Sequence, residues 1–242
     1  MLSFRENPAA NGVEPNVMKY AFLLTALVMF AFAAPARAQR GVHEHATVGL
    51  YLTENPRSCD ASPPACSDNV RVTGELSLPY YAYLCVLKGD RAGGVAGIQF
   101  AIDYDPAPQS GVDVWSWVKC TDLEFPQSGF PASGLRNVIT WDFTRNCQDY
   151  EPAAGEGVTA VGGYFYLTAY SNDRLSVIPV GLPNIPDVLV TDCGAAETHI
   201  DADQLGHVGF SDDGSVTGNL PCVEITIEDK TWGGIKQSLG HD

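Results

Sequence analysis

Between residues 46 and 228 the chain is cut by Pro or Gly roughly every ten to fifteen residues, and the pieces between are short runs rich in β-branched and aromatic residues. Runs of that length suit strands and are too short for typical helices. The clearest is residues 95–104, VAGIQFAIDY, where Ile98, Phe100 and Ile102 fall on one face by period-two alternation. Further strands are expected at residues 46–52, 69–78, 80–88, 112–119, 137–143, 158–170, 174–180, 187–193, 207–211 and 222–228. After residue 39 no window of about eleven residues or more carries a 3.6-residue apolar stripe. The expected fold is therefore all-β, an antiparallel β-sandwich of about eleven strands in two sheets of about five each. One domain over residues 39–228 is the simplest division.

A second feature sets the compartment. Met18–Gln39 has the form of a secretory signal peptide: Lys19, an apolar run from Tyr20 to Ala34, then the small-residue site Ala36-Arg37-Ala38. The run is about fifteen residues long, against the ~20 that a membrane span needs. The expectation is a signal peptide over residues 18–38, a mis-called start over 1–17, a tail over 229–242, and no transmembrane span once the signal is removed. The address would be extracellular or periplasmic. A formal charge of −15 argues against nucleic acid and anionic membranes as partners, since both are polyanions.

All seven cysteines follow that segment, as expected of a chain delivered to an oxidising space. No C-x-x-C is present, so a zinc ribbon or a thioredoxin-type motif is unsupported. Cys59 and Cys66 flank a loop of turn formers and suggest a local bridge. Cys120 with Cys147, and Cys193 with Cys222, are the other natural pairs, although six cysteines alone allow about fifteen connectivities. Cys85 is left over inside the apolar run YYAYLCVLK and reads as a buried free thiol.

Residues 95–106, VAGIQFAIDYDP, resemble an early strand of cohesin-like domains, which often carry V-x-G-x-x-F-x-V-x-Y-D-P. The resemblance implies a cohesin-like or immunoglobulin-like sandwich, here disulfide-stapled, of a kind that binds dockerin modules or cellulose or builds surface layers. The cysteines and the tryptophan pair depart from the cohesin pattern. More broadly, ATVGLYL at 46–52, the run 94–100, the cysteines and TWGGIK at 231–236 look like a group of secreted bacterial proteins. That likeness implies an envelope or extracellular address and carries no activity. TWGGIK itself reads as a short helix or as an export tag.

Trp115, Trp117 and Trp141 are the candidate ligand-binding residues. Strict alternation over 112–119 puts Trp115 and Trp117 on one face, opposite Val112, Val114, Ser116 and Val118. If exposed, that face offers two flat rings to a sugar or a protein; if buried, it is core. Asp103, Asp105, Asp201, Asp203, Asp212 and Asp213 are candidate calcium ligands in oxygen-rich turns, and such residues also form turns for backbone reasons alone. His43 and His45 could share a metal with His199, Asp201 or His207, or lie in a frayed terminus. The sequence holds no G-x-S-x-G, H-E-x-x-H or P-loop. The expected function is a secreted or cell-surface, non-catalytic module for protein or glycan binding, or a structural envelope component. The alternatives are a carbohydrate-active enzyme of jelly-roll build and a calcium-stabilised structural protein.

Overall fold

The computed structural model describes residues 42–56, 58–59, 63–66, 68–181 and 187–221. The expected signal segment, the start over 1–17, the strand at 222–228, the tail and TWGGIK lie outside the described residues. Twelve strands are present among those described: β1 (Thr47–Thr53), β2 (Thr73–Gly74), β3 (Pro79–Gly89), β4 (Gly97–Asp103), β5 (Val112–Lys119), β6 (Leu123–Glu124), β7 (Arg136–Thr140), β8 (Val158–Ala169), β9 (Asp173–Ile178), β10 (Val188–Thr191), β11 (Glu197–Ile200) and β12 (His207–Phe210). One short 3-10 helix, Ala202–Gln204, is the sole helical element among them. No helix among the described residues is long and apolar enough to cross a membrane.

The strands form a β-sandwich. One sheet has four strands in the order β1-β3-β8-β5; the other has eight, with β4 at the junction of β7, β10 and β9. The split is uneven rather than five and five, because β4 carries β10 against Gly97–Gln99 and β9 against Ala101–Asp103. Every named pair is antiparallel except β2 with β12. The core between the sheets is built from the alternating residues that the runs promised: Val48, Leu50 and Leu52; Ala82, Leu84 and Val86; Ile98, Phe100 and Ile102. All are buried, which is the main favourable term for a two-layer fold.

β3 is apolar on both faces for a reason. Its outer residues Tyr83, Cys85 and Leu87 join Tyr51 and Cys66 in a second buried cluster, with Val70 and Leu220 packed against it. The segment covering that face replaces the strand expected at 69–78. It runs from one sheet to the other: Leu52 N–H donates to the Arg71 carbonyl (2.7 Å), and Gly209 N–H to that of Val72 (3.0 Å). Only Thr73–Gly74 is left as ladder.

Two of the expected cysteine pairs are overturned within the described residues, and a third cannot form. Cys59 bonds Cys120 (Cα–Cα 5.2 Å), tying the covering segment to the end of β5, and Cys147 bonds Cys193 (5.9 Å). Cys66 is disulfide-bonded, though not to Cys59, and Cys193 is therefore not available to Cys222. Spacing along the chain favours neighbours in sequence, whereas the sandwich brings distant turns together. Cys85 is buried as a free thiol, its pKa pushed up to about 12 by burial.

Candidate functional site

β5 does not keep the alternation read from its sequence. A bulge falls between Val114, opposite Leu167, and Ser116, opposite Tyr166. Trp115 is the extra residue, so the two tryptophans do not share a face. Trp117 turns inward opposite Phe165 and packs against Phe100, Phe130 and Phe165, at ring separations of 6.0, 5.7 and 4.5 Å. Its indole N–H donates to Glu124 Oε1 (2.7 Å), which also accepts from Asn137 Nδ2 (2.6 Å). That joins the edge of one sheet to β6 of the other. Gly162 and Gly163 bulge β8 opposite this point, where a Cβ at Gly163 would overlap the Trp117 ring. Trp115 remains 56% exposed, whereas Trp141 is 4% exposed.

The turn aspartates are placed in separate turns. Asp103 accepts from Ser133 Oγ (2.8 Å), Asp105 from Ala107 N–H (3.0 Å), Asp212 from Leu76 N–H (3.0 Å) and Asp213 from Ser215 N–H (2.9 Å). Hydrogen bonds from Ser215 hold Asp213 below the ordinary carboxylate range. Asp201 and Asp203 flank and enter the 3-10 helix. Among the described residues no three His, Cys, Asp or Glu side chains gather as a metal site.

The His-x-His pair is split. His45 is exposed, but His43 is 1% exposed, so this stretch is packed rather than frayed. His43 Nδ1 accepts the Asp90 N–H (3.0 Å) and its backbone N–H donates to Thr198 Oγ1 (3.2 Å), while Nε2 is buried without a partner. Burial lowers its pKa, partly offset by Asp192 and Asp90. His199 instead pairs with Asp187 (2.7 Å) on the exposed side of β11.

What the sequence reading missed is a cleft of about 780 Å³ on the larger sheet. Its lining includes Leu123, Trp141 and Phe143, with Asp122, Asp142 and Asp192 as its carboxylates. Leu123 pairs with Thr140, and Phe125 N–H donates to the Val138 carbonyl (2.8 Å), so both apolar side chains share the face opposite Glu124. Leu123 is 58%, Phe125 61% and Phe143 66% exposed. Phe143 sits on a turn fixed by Asp142, whose Oδ1 accepts from the N–H groups of Thr144 (2.9 Å) and Arg145 (3.1 Å). Asp122 Oδ2 accepts from Asp142 N–H (2.6 Å) and Asn146 Nδ2 (3.1 Å), and those bonds hold its carboxyl below the usual range. On the opposite wall Asp192 Oδ1 accepts from Gly194 N–H (2.8 Å) and Ala196 N–H (2.7 Å).

The two walls are linked. The Cys147–Cys193 bridge joins the turn after Trp141 to the turn after β10, and the residues leading into β4 run between them: Val95 exchanges hydrogen bonds with Gln148, and Ala96 N–H donates to the Thr191 carbonyl. Gly94, at φ +62°, lies beneath both sulfurs, where a side chain would collide. The signals for this site were present in the sequence as Asp-Leu-Glu-Phe (122–125), a short period-two run, and Trp-Asp-Phe-Thr (141–144), an Asx-turn with an aromatic at its tip.

Among solved structures the chain is similar to cohesin modules. One, from a family 33 glycoside hydrolase of Clostridium perfringens, aligns at TM-score 0.38 and 10% identity, covering 68% of this chain and 97% of that one. A type II cohesin domain from the Acetivibrio cellulolyticus cellulosome aligns at 0.36 and 12%, covering 63% and 86%. The major pilin SpaD of Corynebacterium diphtheriae aligns at 0.28 and 9%, covering 68% and 34%. No family model and no curated protein sequence matches the chain. The fold stands on the sheets described above.

Proposed function

We propose that this protein is an extracellular, non-catalytic binding module that docks a protein partner in the cleft between Leu123, Trp141 and Phe143. One observation carries the reading: Leu123 and Phe125 beside β7 and Phe143 on the turn that follows it are all more than half exposed, Leu123 and Phe143 bordering a cleft whose walls are cross-linked. Clustered exposed apolar side chains mark interaction sites, and a rigid frame lowers the entropy lost on docking. Disulfides suit an oxidising compartment. Hydrogen bonds from the Asp142 N–H and Asn146 hold Asp122 below the usual carboxylate range, away from the raised pKa of a glycosidase general acid.

On β5 Trp115 is exposed while Trp117 is packed inward, and Trp141 is buried, so β5 does not present a double-ring sugar platform. The test is affinity capture from the extracellular fraction of the source organism with three baits: wild type, Leu123→Ser/Phe143→Ser, and Trp115→Ser. A partner held by wild type and Trp115→Ser but lost from the double variant supports the cleft. A partner lost only from Trp115→Ser overturns it.

A further inference from the structure

We propose that the cleft is selective for a basic segment, receiving a Lys or Arg side chain flanked by apolar residues. The proposal rests on the cleft being a docking site and adds the chemistry of its occupant. Its apolar part would take the aliphatic stem of such a side chain and its neighbours, and the exposed Phe143 ring suits a cation nearby. The charged part is rigid and half-used. Asp122 is held through Oδ2, Asp142 through Oδ1 and Asp192 through Oδ1; the second oxygen of each accepts no hydrogen bond from the described residues. Three carboxylates already oriented by backbone amides can bind a cation without first being ordered. The opposing charges are few. Arg145 lines the cleft and forms no ion pair among the described residues, while Lys119 Nζ is committed to the Asp122 carbonyl (2.8 Å). Burial disfavours the charged form of the nearby His43. The whole chain carries −15, which favours a basic partner and disfavours a second copy of itself or an acidic peptide.

The experiment is selection of an unbiased displayed peptide library on the full domain, with Phe143→Ser as the counter-target. Phe143-dependent binders are expected to be enriched in Lys or Arg beside apolar residues. A synthetic copy of the best binder should then weaken about fivefold on Asp142→Asn and tighten on Arg145→Gln, with the gap closing at high salt. Asn keeps an acceptor oxygen for the Thr144 amide; if Asp142→Asn nonetheless fails to fold, the Arg145→Gln comparison alone decides the sign. Phe143-dependent binders that are neutral or acidic, or an Arg145→Gln variant that binds more weakly, overturn the basic-ligand proposal and leave the docking site standing. The absence of any Phe143-dependent binder overturns both.

Discussion

Replacing Cys147 and Cys193 together with serine tests whether the cleft walls are held by the cross-link or by the surrounding ladder. The sequence separation is 46 residues. Releasing a loop of that size from the unfolded chain costs the folded state about 4 kcal/mol at 25 °C by the loop-entropy relation. For a domain of this size each kcal/mol corresponds to about 2–4 °C, so the melting temperature should fall by about 8–16 °C. Urea unfolding, read with the other bridges intact and confirmed by thiol titration, measures the loss directly. Hydrogen exchange supplies the local half: the amides of Ala96 and residue 193, bonded to Thr191 and Gly93, should lose protection more than those of Leu84 in β3. A melting temperature within about 4 °C of wild type would refute the entropy reasoning, and unchanged protection at Ala96 and residue 193 would mean that the hydrogen bonds around Val95 and Ala96 fix the walls unaided.

Other outcomes follow from single contacts. His43 is depressed below its free value by burial, so its contribution to stability is complete above about pH 6.5 and is lost as pH falls below it. His43→Asn, which keeps an acceptor for the Asp90 amide, should flatten the urea midpoint between about pH 7 and 5; an unchanged slope counts against it. Glu124→Ala leaves the Trp117 and Asn137 donors without their acceptor and should cost about 2–4 kcal/mol, with Glu124→Gln recovering part of it in the same urea assay. Gly163→Ala should cost about 1–3 kcal/mol and perturb Trp117 fluorescence, because the new methyl meets the indole. Asp105, Asp212 and Asp213 already bind backbone amides, so chelator should move the melting temperature by less than about 2 °C; a larger fall would restore calcium as a structural ion.

The parts of the fold legible in the sequence were those governed by period two. β3, β4 and β8 lie within a few residues of their expected bounds, because β3 and β4 each keep a buried alternating face and β8 is buried along most of its length, its core residues changing from Val158 and Ala160 to Phe165, Leu167 and Ala169 across the Gly162 bulge. β5 was placed at its full length and still misread, since one inserted residue at Trp115 reverses the facing of everything after it and leaves no mark in composition. The crossing at 69–72 alternates like a strand because Val70 faces the outer cluster, yet it supplies only isolated hydrogen bonds to each sheet. Cysteine pairing and the cleft depend on turns that meet only in three dimensions. Phe143 is an unremarkable aromatic until the Asp142 turn sets it at the border of the cleft that Trp141 also lines.

The bulge at Trp115 has one more consequence. β5 ends the four-stranded sheet and is long and rich in Val and Trp, the sort of margin along which separate molecules can zip together. An inserted residue throws a would-be neighbouring strand out of step halfway along, so no flat, continuous row of amides is offered. Deleting Trp115 would restore the simple alternation read from the sequence, and with it a margin prone to self-assembly at high concentration. With the bulge in place, β5 is a poorer template for a second copy than an unbroken strand would be.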